Sequence, residues 1–344
     1  TNANGTDYTT IGFKVSDGAN YSLYDYTLTV DVTAVNDAPV ASGSTVLASI
    51  AEDTASPAGD TVANLFGANF SDTADAVTGG SSANLFYGIA ISSYTADTAK
   101  GDWQYSTDSG STWTSLANAT TGSAITLSAA TFLRFVPATN YNGAATALSA
   151  NLIDNGGALQ ITDGGSIDLT GNTGGSTSIS AATVLLGETI TAVNDTPTRT
   201  AGSLTAISVA EDSANSTAQS LGLTGLTYGP GGGSDETGQT LTYAITNIPS
   251  YLALYKADGT TQVTTSTTGL TVSDMAGLKY KTLANGNGTG SITWTVTDNG
   301  TTNGASAPQT LTESLSITVT AVNDAPVASG TATLAADVED TASP

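Results

Sequence analysis

The pattern T-A-V-N-D-x-P occurs three times in this chain, at residues 33–39, 191–197 and 320–326. The copies stand 158 and 129 positions apart, a spacing of domain size. A second motif keeps step with it: A-E-D-T at 51–54, A-E-D-S at 210–213 and V-E-D-T at 338–341. Its Glu falls 15 or 16 residues after the linker Asp each time. A third motif closes each unit. N-x-N-G opens an alternating run that ends in S-D-G or D-N-G, at 2–18, 140–156 and 285–300. The chain is therefore expected to hold the tail of one domain (1–36), two full domains (37–195 and 196–324) and the head of a following domain (325–344). Residues 38–57 and 325–344 are close copies, which suggests a larger two-domain repeat of 287 residues.

Between the motifs the sequence alternates as half-buried strands do. Leu315, Ile317 and Val319 share one face, with Ala321 a candidate to extend it; Ile292, Trp294 and Val296 share another; Tyr26, Leu28, Val30 and Val32 a third. Thr and Ser stand opposite them, and Gly, Asn and Asp separate the runs. No longer stretch has helical periodicity. The expected fold is all-β: tandem Greek-key β-sandwich domains in a linear array. An apolar content of 39% in short alternating runs argues against disorder.

Composition narrows the function. Seven Lys and Arg against 30 Asp and Glu give a net charge of −23. Nucleic acid and anionic membrane surfaces are thereby disfavoured as partners. No run is long and apolar enough to span a membrane. The chain has no Cys and no His. Thiolate and imidazole chemistry are absent, so a resident metal would be held by oxygen, with calcium favoured over magnesium. The acidic clusters recur in register, whereas a catalytic carboxylate pair belongs at one place, and no enzyme activity is expected.

The V-N-D-A-P ending, the acidic pair about fifteen residues on, the acidic turn before L-T-Y and the D-x-G before the last strands together resemble the cadherin-like repeats of giant bacterial surface adhesins. The resemblance covers essentially the whole chain. It implies several calcium ions bound at the junctions between consecutive domains. At the junction near 195 it implies Glu52 or Asp53, Asn194, Asp195, Asp235 or Glu236, and Asp298. Near 37 it implies Asn36, Asp37, Asp72 or Asp75, and Asp154. Near 324 it implies Asn323, Asp324 and Glu211 or Asp212. Two departures stand against this. The acidic D-R-E of a cadherin repeat is replaced by N-x-N-G, with Asn140, Asn142, Asn285 and Asn287. The leading Asp of the cadherin linker is replaced by Ala34, Ala192 and Ala321. Fewer carboxylates mean fewer ions or weaker binding. The same Asp and Asn residues also suit plain turns, stiffened by Pro39, Pro197 and Pro326, and both readings stand at the level of sequence.

The implied role is a structural repeat segment of a long, secreted bacterial surface protein, an adhesin stalk or extracellular filament, with neighbouring repeats as its first partners. An alternative lies in the extra length of the first full domain, placed near 101–127 as a hairpin insert. Residues 106–113, S-T-D-S-G-S-T-W, resemble the Asp-box of sialidases and other β-propellers, a structural hairpin. With only Arg134 and Arg199 the chain lacks a sialidase's arginine cluster. Trp103 and Trp113 flank this hairpin and could instead stack on a glycan, or simply pack. Homotypic assembly into filaments through the edge strands of the terminal fragments is a third expectation.

Overall fold

A computed structural model describes residues 2–334 and 336. It divides into two compact units. The first comprises Thr1–Thr196, Pro230–Gln239 and Asn299–Gln309, the second Pro197–Gly229, Thr240–Asp298 and Thr310–Pro344. The V-E-D-T motif at 338–341 lies outside the described residues. Both units are all-β. No described helix is long and apolar enough to cross a membrane.

In the second unit the strands Ile207–Ala210, Thr310–Thr320, Gly288–Thr297 and Thr242–Asn247 form one sheet in that order. Gln219–Ser220, Lys279–Thr282, Leu252–Tyr255 and Gln262–Val263 form a second. The period-2 faces read from the sequence meet inside. Ile292, Trp294 and Val296 are buried with Leu315, Ile317 and Val319 in one core, which also holds Leu254, Met275 and Tyr280. Ala321 lies beyond the strand and is exposed. Val272–Ala276 forms a single helical turn, started by a capping box between Thr271 and Asp274.

The first unit has a six-stranded sheet in the order Gly165–Ile167, Ala124–Ser128, Phe86–Ser93, Leu148–Asp154, Ile179–Gly187, Ser44–Val46. A four-stranded sheet runs Thr114–Ser115, Gly101–Ser106, Phe132–Pro137, Asp60–Thr61. One core joins Phe66, Ile89, Ile91, Trp103, Leu133, Phe135, Leu152 and Leu186. The six-stranded sheet is apolar on its other face too: Ala90, Ala124, Ile153, Leu169 and Ile179 are buried there beneath Leu159, Ile161 and Ile167. The cover comes from the segment after Asp154. From Asp154 to Asn194 is 40 positions, against 25 from Asp298 to Asn323. About half the extra length of this unit thus builds an outer layer, a correction to placing all of it near 101–127.

The hairpin near 101–127 is present, and its chemistry is that of a structural turn. Asp108 accepts hydrogen bonds from the Thr112 amide (2.8 Å), the Thr112 hydroxyl (2.7 Å) and the Ser106 hydroxyl (2.8 Å). These donors hold its carboxyl down at about 2, the Thr112 amide contributing most. Trp103 is fully buried, edge-on to Phe135, with its indole N–H on the Thr146 carbonyl. Trp113 is half-buried and its ring face is covered by the Arg134 guanidinium at 4.0 Å. The two tryptophans do not form a surface platform, so the proposed Trp103/Trp113 glycan site is corrected to packing.

The strands Gly5–Phe13 and Tyr26–Val32 pair as a separate two-stranded ribbon. Ile11, Phe13, Tyr26 and Leu28 on it are exposed, since two strands alone enclose no core.

Candidate functional site

In each unit a short parallel strand positions the acidic pair. Ile50–Ala51 runs parallel to Thr189–Thr191, and Ile207–Ala210 runs parallel to the end of Thr310–Thr320. The Glu that follows is therefore delivered beside the first amides of the linker. Glu52 accepts from the Val193 amide at 2.6 Å on one oxygen and from the Asn142 side chain at 3.1 Å on the other. Glu211 repeats the pattern in the second unit, with the Val322 amide at 2.7 Å and Asn287 at 2.9 Å. Those donors, Asn287 first, hold the Glu211 carboxyl below its usual range. Asp53 and Asp212 then turn through left-handed backbone, φ 61° and 62°. Their carboxylates accept from the amides of Asn140 (2.7 Å) and Asn285 (3.3 Å), which are also left-handed. Asp and Asn tolerate this conformation better than other non-glycine residues.

The N-x-N-G motif is thus the other half of a clasp on the linker. Sequence reasoning read it as a recurring motif of each unit and as a loss of carboxylate, and assigned no role to Asn140, Asn142, Asn285 and Asn287. The signal was available, because the motif recurs in every unit together with the acidic pair.

The linker of the first unit carries the fuller cluster. The Asp195 amide donates to Glu236 Oε1. Asn194 is buried, donates to the Ala307 carbonyl at 3.0 Å and accepts from Gln239 at 2.7 Å. Asn142 also donates to Asp235 at 2.7 Å, joining the clasp to the acidic turn. Glu236 is 1% exposed, and its Oε2 has no hydrogen-bond partner; nor has Asp195 Oδ2. Burial raises both pKa values. The charges of Asp53 and Asp235 raise Asp195 further, against the Gly232 amide; for Glu236 the Asp195 amide opposes the burial first, the charges of Asp195 and Asp235 add to the rise, and the Gly232 amide opposes it last. A side chain at Gly232 would overlap the Asp195 carboxylate, so only glycine lets the backbone come this close.

The cluster near 37 repeats this plan. The Asp37 amide donates to both oxygens of Asp75, at 3.1 and 3.2 Å. Asn84 donates to Asp75 (2.6 Å) and to the side-chain Oδ1 of Asn36 (2.7 Å), as Gln239 donates to Asn194 Oδ1. Asn36 donates to Asp154 at 3.4 Å, and Asn2 donates to Asp37 at 2.6 Å. Asp72, Asp75 and Asp154 are buried, and Asp72 Oδ1 has no partner. Burial is the first cause of the raised pKa of Asp72 and Asp154. A cavity of about 200 Å³ opens among Asn2, Asn4, Asn36, Asp37 and Asp75.

The remaining expected ligands divide. Asp298 is buried in the second unit. Asn323 and Asp324 are exposed, and among the described residues the acids brought together in that unit's clasp are Glu211 and Asp212. Among the described residues, no three Asp or Glu side chains gather closely enough to hold a metal ion by themselves. The donor set nevertheless fits calcium in kind. Partnerless buried carboxylate oxygens on Glu236, Asp195 and Asp72 lie beside Asn side chains and linker backbone, all hard oxygen donors.

No protein-family model matches the chain, and no curated protein matches it. Solved structures that resemble it are multidomain all-β chains. Titin domains z1z2 in complex with telethonin match over 84% of this chain and 99% of that one, with 12% identity and a TM-score of 0.20. Zebrafish RET cadherin-like domains 1 to 4 match over 90% of this chain and 57% of that one, with 10% identity and a TM-score of 0.21. The human desmocollin-1 ectodomain matches over 92% and 48%, with 8% identity and a TM-score of 0.24. This chain spans about half the length of the last two. The neighbours are immunoglobulin-like and cadherin domains, as this chain's own sheets are all-β sandwiches; at these scores and identities they identify no relative.

Proposed function

We propose that this chain is a structural segment of a long extracellular adhesion-type array, carried on a bacterial surface, whose linkers are fixed by calcium. The observation that carries the reading is the linker cluster of the first unit: Glu236 and Asp195 hold partnerless carboxylate oxygens against a backbone already pinned by Glu52 and Asn142. Asp195, Asp235, Glu236 and Asp53 would supply the charged oxygens there. Asp37, Asp72, Asp75 and Asp154 would do so near 37, with Asn36 adding a neutral amide oxygen; in the second unit Asp298, Glu211, Asp212 and Asp324 would be the charged donors and Asn323 a neutral one. A bound divalent cation would neutralise carboxylates that otherwise repel one another. The protein's own part is to hold the linker: Glu52 and Glu211 each take a linker amide, and Asn142 and Asn287 lock the glutamates in place.

Extracellular calcium modules bind at roughly 10⁻⁴–10⁻³ M, so occupancy would accompany export. The charge of −23 suits a soluble string of domains. The acidic motifs recur in register from unit to unit, which suits a mechanical role better than catalysis. The test is isothermal titration calorimetry of the whole chain with calcium and, separately, magnesium. Saturable calcium binding in that range, weakened in an Asp195→Asn, Glu236→Gln double variant, supports the reading. No calcium heat, or equal magnesium binding, sinks it.

A further inference from the structure

Glu188 occupies a core position. It stands six residues before the linker Asn194; the equivalent positions before Asn36 and Asn323 are Val30 and Ile317. Its neighbours on the same face, Leu186 and Ile190, are buried core residues, as Leu315, Ile317 and Val319 are in the second unit. Glu188 is itself 3% exposed, and neither carboxyl oxygen has a hydrogen-bond partner. It lines a cavity of about 440 Å³ walled mainly by apolar groups, Val46, Leu47, Pro57 and Leu65 among them, with Ser49 and Asp60 as the other polar side chains.

No cation of the first unit serves this acid. Lys14 pairs with Asp25, and Lys100 with Asp97. Arg134 binds Gln104 and the Pro57 carbonyl and covers Trp113. Asp60 is the only other titratable group on the cavity wall, and one of its oxygens takes the Thr61 amide and the Asn64 side chain. A buried acid without a partner is costly, and an apolar side chain in its place would be ordinary. The space is far larger than a metal ion needs, and three polar side chains fall short of a calcium shell. A group with ammonium donors at one end and a short hydrocarbon stem matches both the carboxyl and the walls.

We propose that the Glu188 cavity is a binding site for a primary alkylammonium ion, its nitrogen on Glu188 and its chain along Leu47, Pro57 and Leu65. Nothing in this reading depends on calcium. Without a cation, burial pushes the Glu188 carboxyl up to about 8. The incoming ammonium must therefore displace a proton below that pH. Affinity should rise about tenfold per pH unit up to about 8 and then level off.

The test is calorimetric titration of the whole chain with n-butylammonium chloride at pH 6, 7 and 8. Glu188→Gln and Ala58→Leu are the variants; the second fills the rim and keeps the carboxyl. The expected result is saturable binding that strengthens with pH and falls at least tenfold in each variant. Calcium chloride should not compete. Binding unchanged in Glu188→Gln, competition by calcium, or no saturation by about 50 mM would overturn the proposal.

Discussion

Replacing Glu188 by Gln keeps the shape of the side chain and removes its ionisation. In the folded unit burial raises the carboxyl from 4.5 to about 8. Between those values the unfolded chain releases a proton that the folded unit retains. Stability therefore falls as pH rises from 4.5 to about 8 and is flat above, because here the folded state binds more protons than the unfolded one. At pH 7 this costs about 3 kcal/mol, an upper figure that any water reaching the cavity reduces. At pH 4.5 it costs only about 0.4 kcal/mol. Glu188→Gln should accordingly raise the stability of the first unit at pH 7, by roughly 6–12 °C in its midpoint, and leave it nearly unchanged at pH 4.5. The assay is urea and thermal unfolding of the whole chain from pH 4.5 to 8.5. Trp103 and Trp113 report the first unit by fluorescence, and Trp294 the second. Wild type that is equally stable at pH 5 and pH 8, or a variant no more stable at pH 7, would show that Glu188 is solvated in the folded protein and refute the reasoning.

The clasp gives a second prediction: Asn142→Ala leaves one buried oxygen of Glu52 without its donor and should cost about 1–3 kcal/mol in urea unfolding of the first unit. Asn142→Asp should destabilise more in EDTA, since it places a carboxylate against Glu52 and Asp235, and millimolar calcium should recover part of the loss. Because hydrogen bonds hold Asp108 down at about 2, its support of the hairpin is present above 3.8 and lost as pH falls through about 2; amide exchange at Thr112 should accelerate over that window, and Asp108→Asn should abolish the dependence. Trp113→Ala should lower stability through lost packing with Arg134 and leave glycan-array binding at background; array binding by wild type that disappears in the variant would revive the glycan reading.

The strand faces were legible because side chains alternate and one face must be covered: Ile292, Trp294, Val296, Leu315, Ile317 and Val319 are all buried as their period predicts. The Asp-box was legible because its spacing allows one compact hydrogen-bonded turn. The outer layer after Asp154 was not. Leu159 and Ile161, and Ile167 and Leu169, alternate only two at a time among Gly, Asp and Thr, too short a run to mark a buried face. Glu188 was overlooked for a different reason. Its charge suggests solvent, yet the alternation Leu186, Glu188, Ile190 points inward, and comparison with Val30 and Ile317 exposes the anomaly. At the linkers, sequence gathered the right acids by motif. It could not tell that Glu52 and Glu211 are engaged by amides while Glu236 and Asp195 keep free oxygens, because that depends on which backbone lies beside each carboxylate.

The most direct measurement of the central claim is the thermal midpoint of the whole chain in EDTA, in about 5 mM calcium and in about 5 mM magnesium, for wild type and Glu236→Gln. With dissociation constants of roughly 10⁻⁴–10⁻³ M, calcium should stabilise the native state by about 1–2 kcal/mol, a rise of several degrees. Magnesium should do little, and the rise should shrink in Glu236→Gln. A midpoint that is the same in EDTA and calcium would contradict the account, leaving the Glu52 and Glu211 clasps to hold the linkers without an ion.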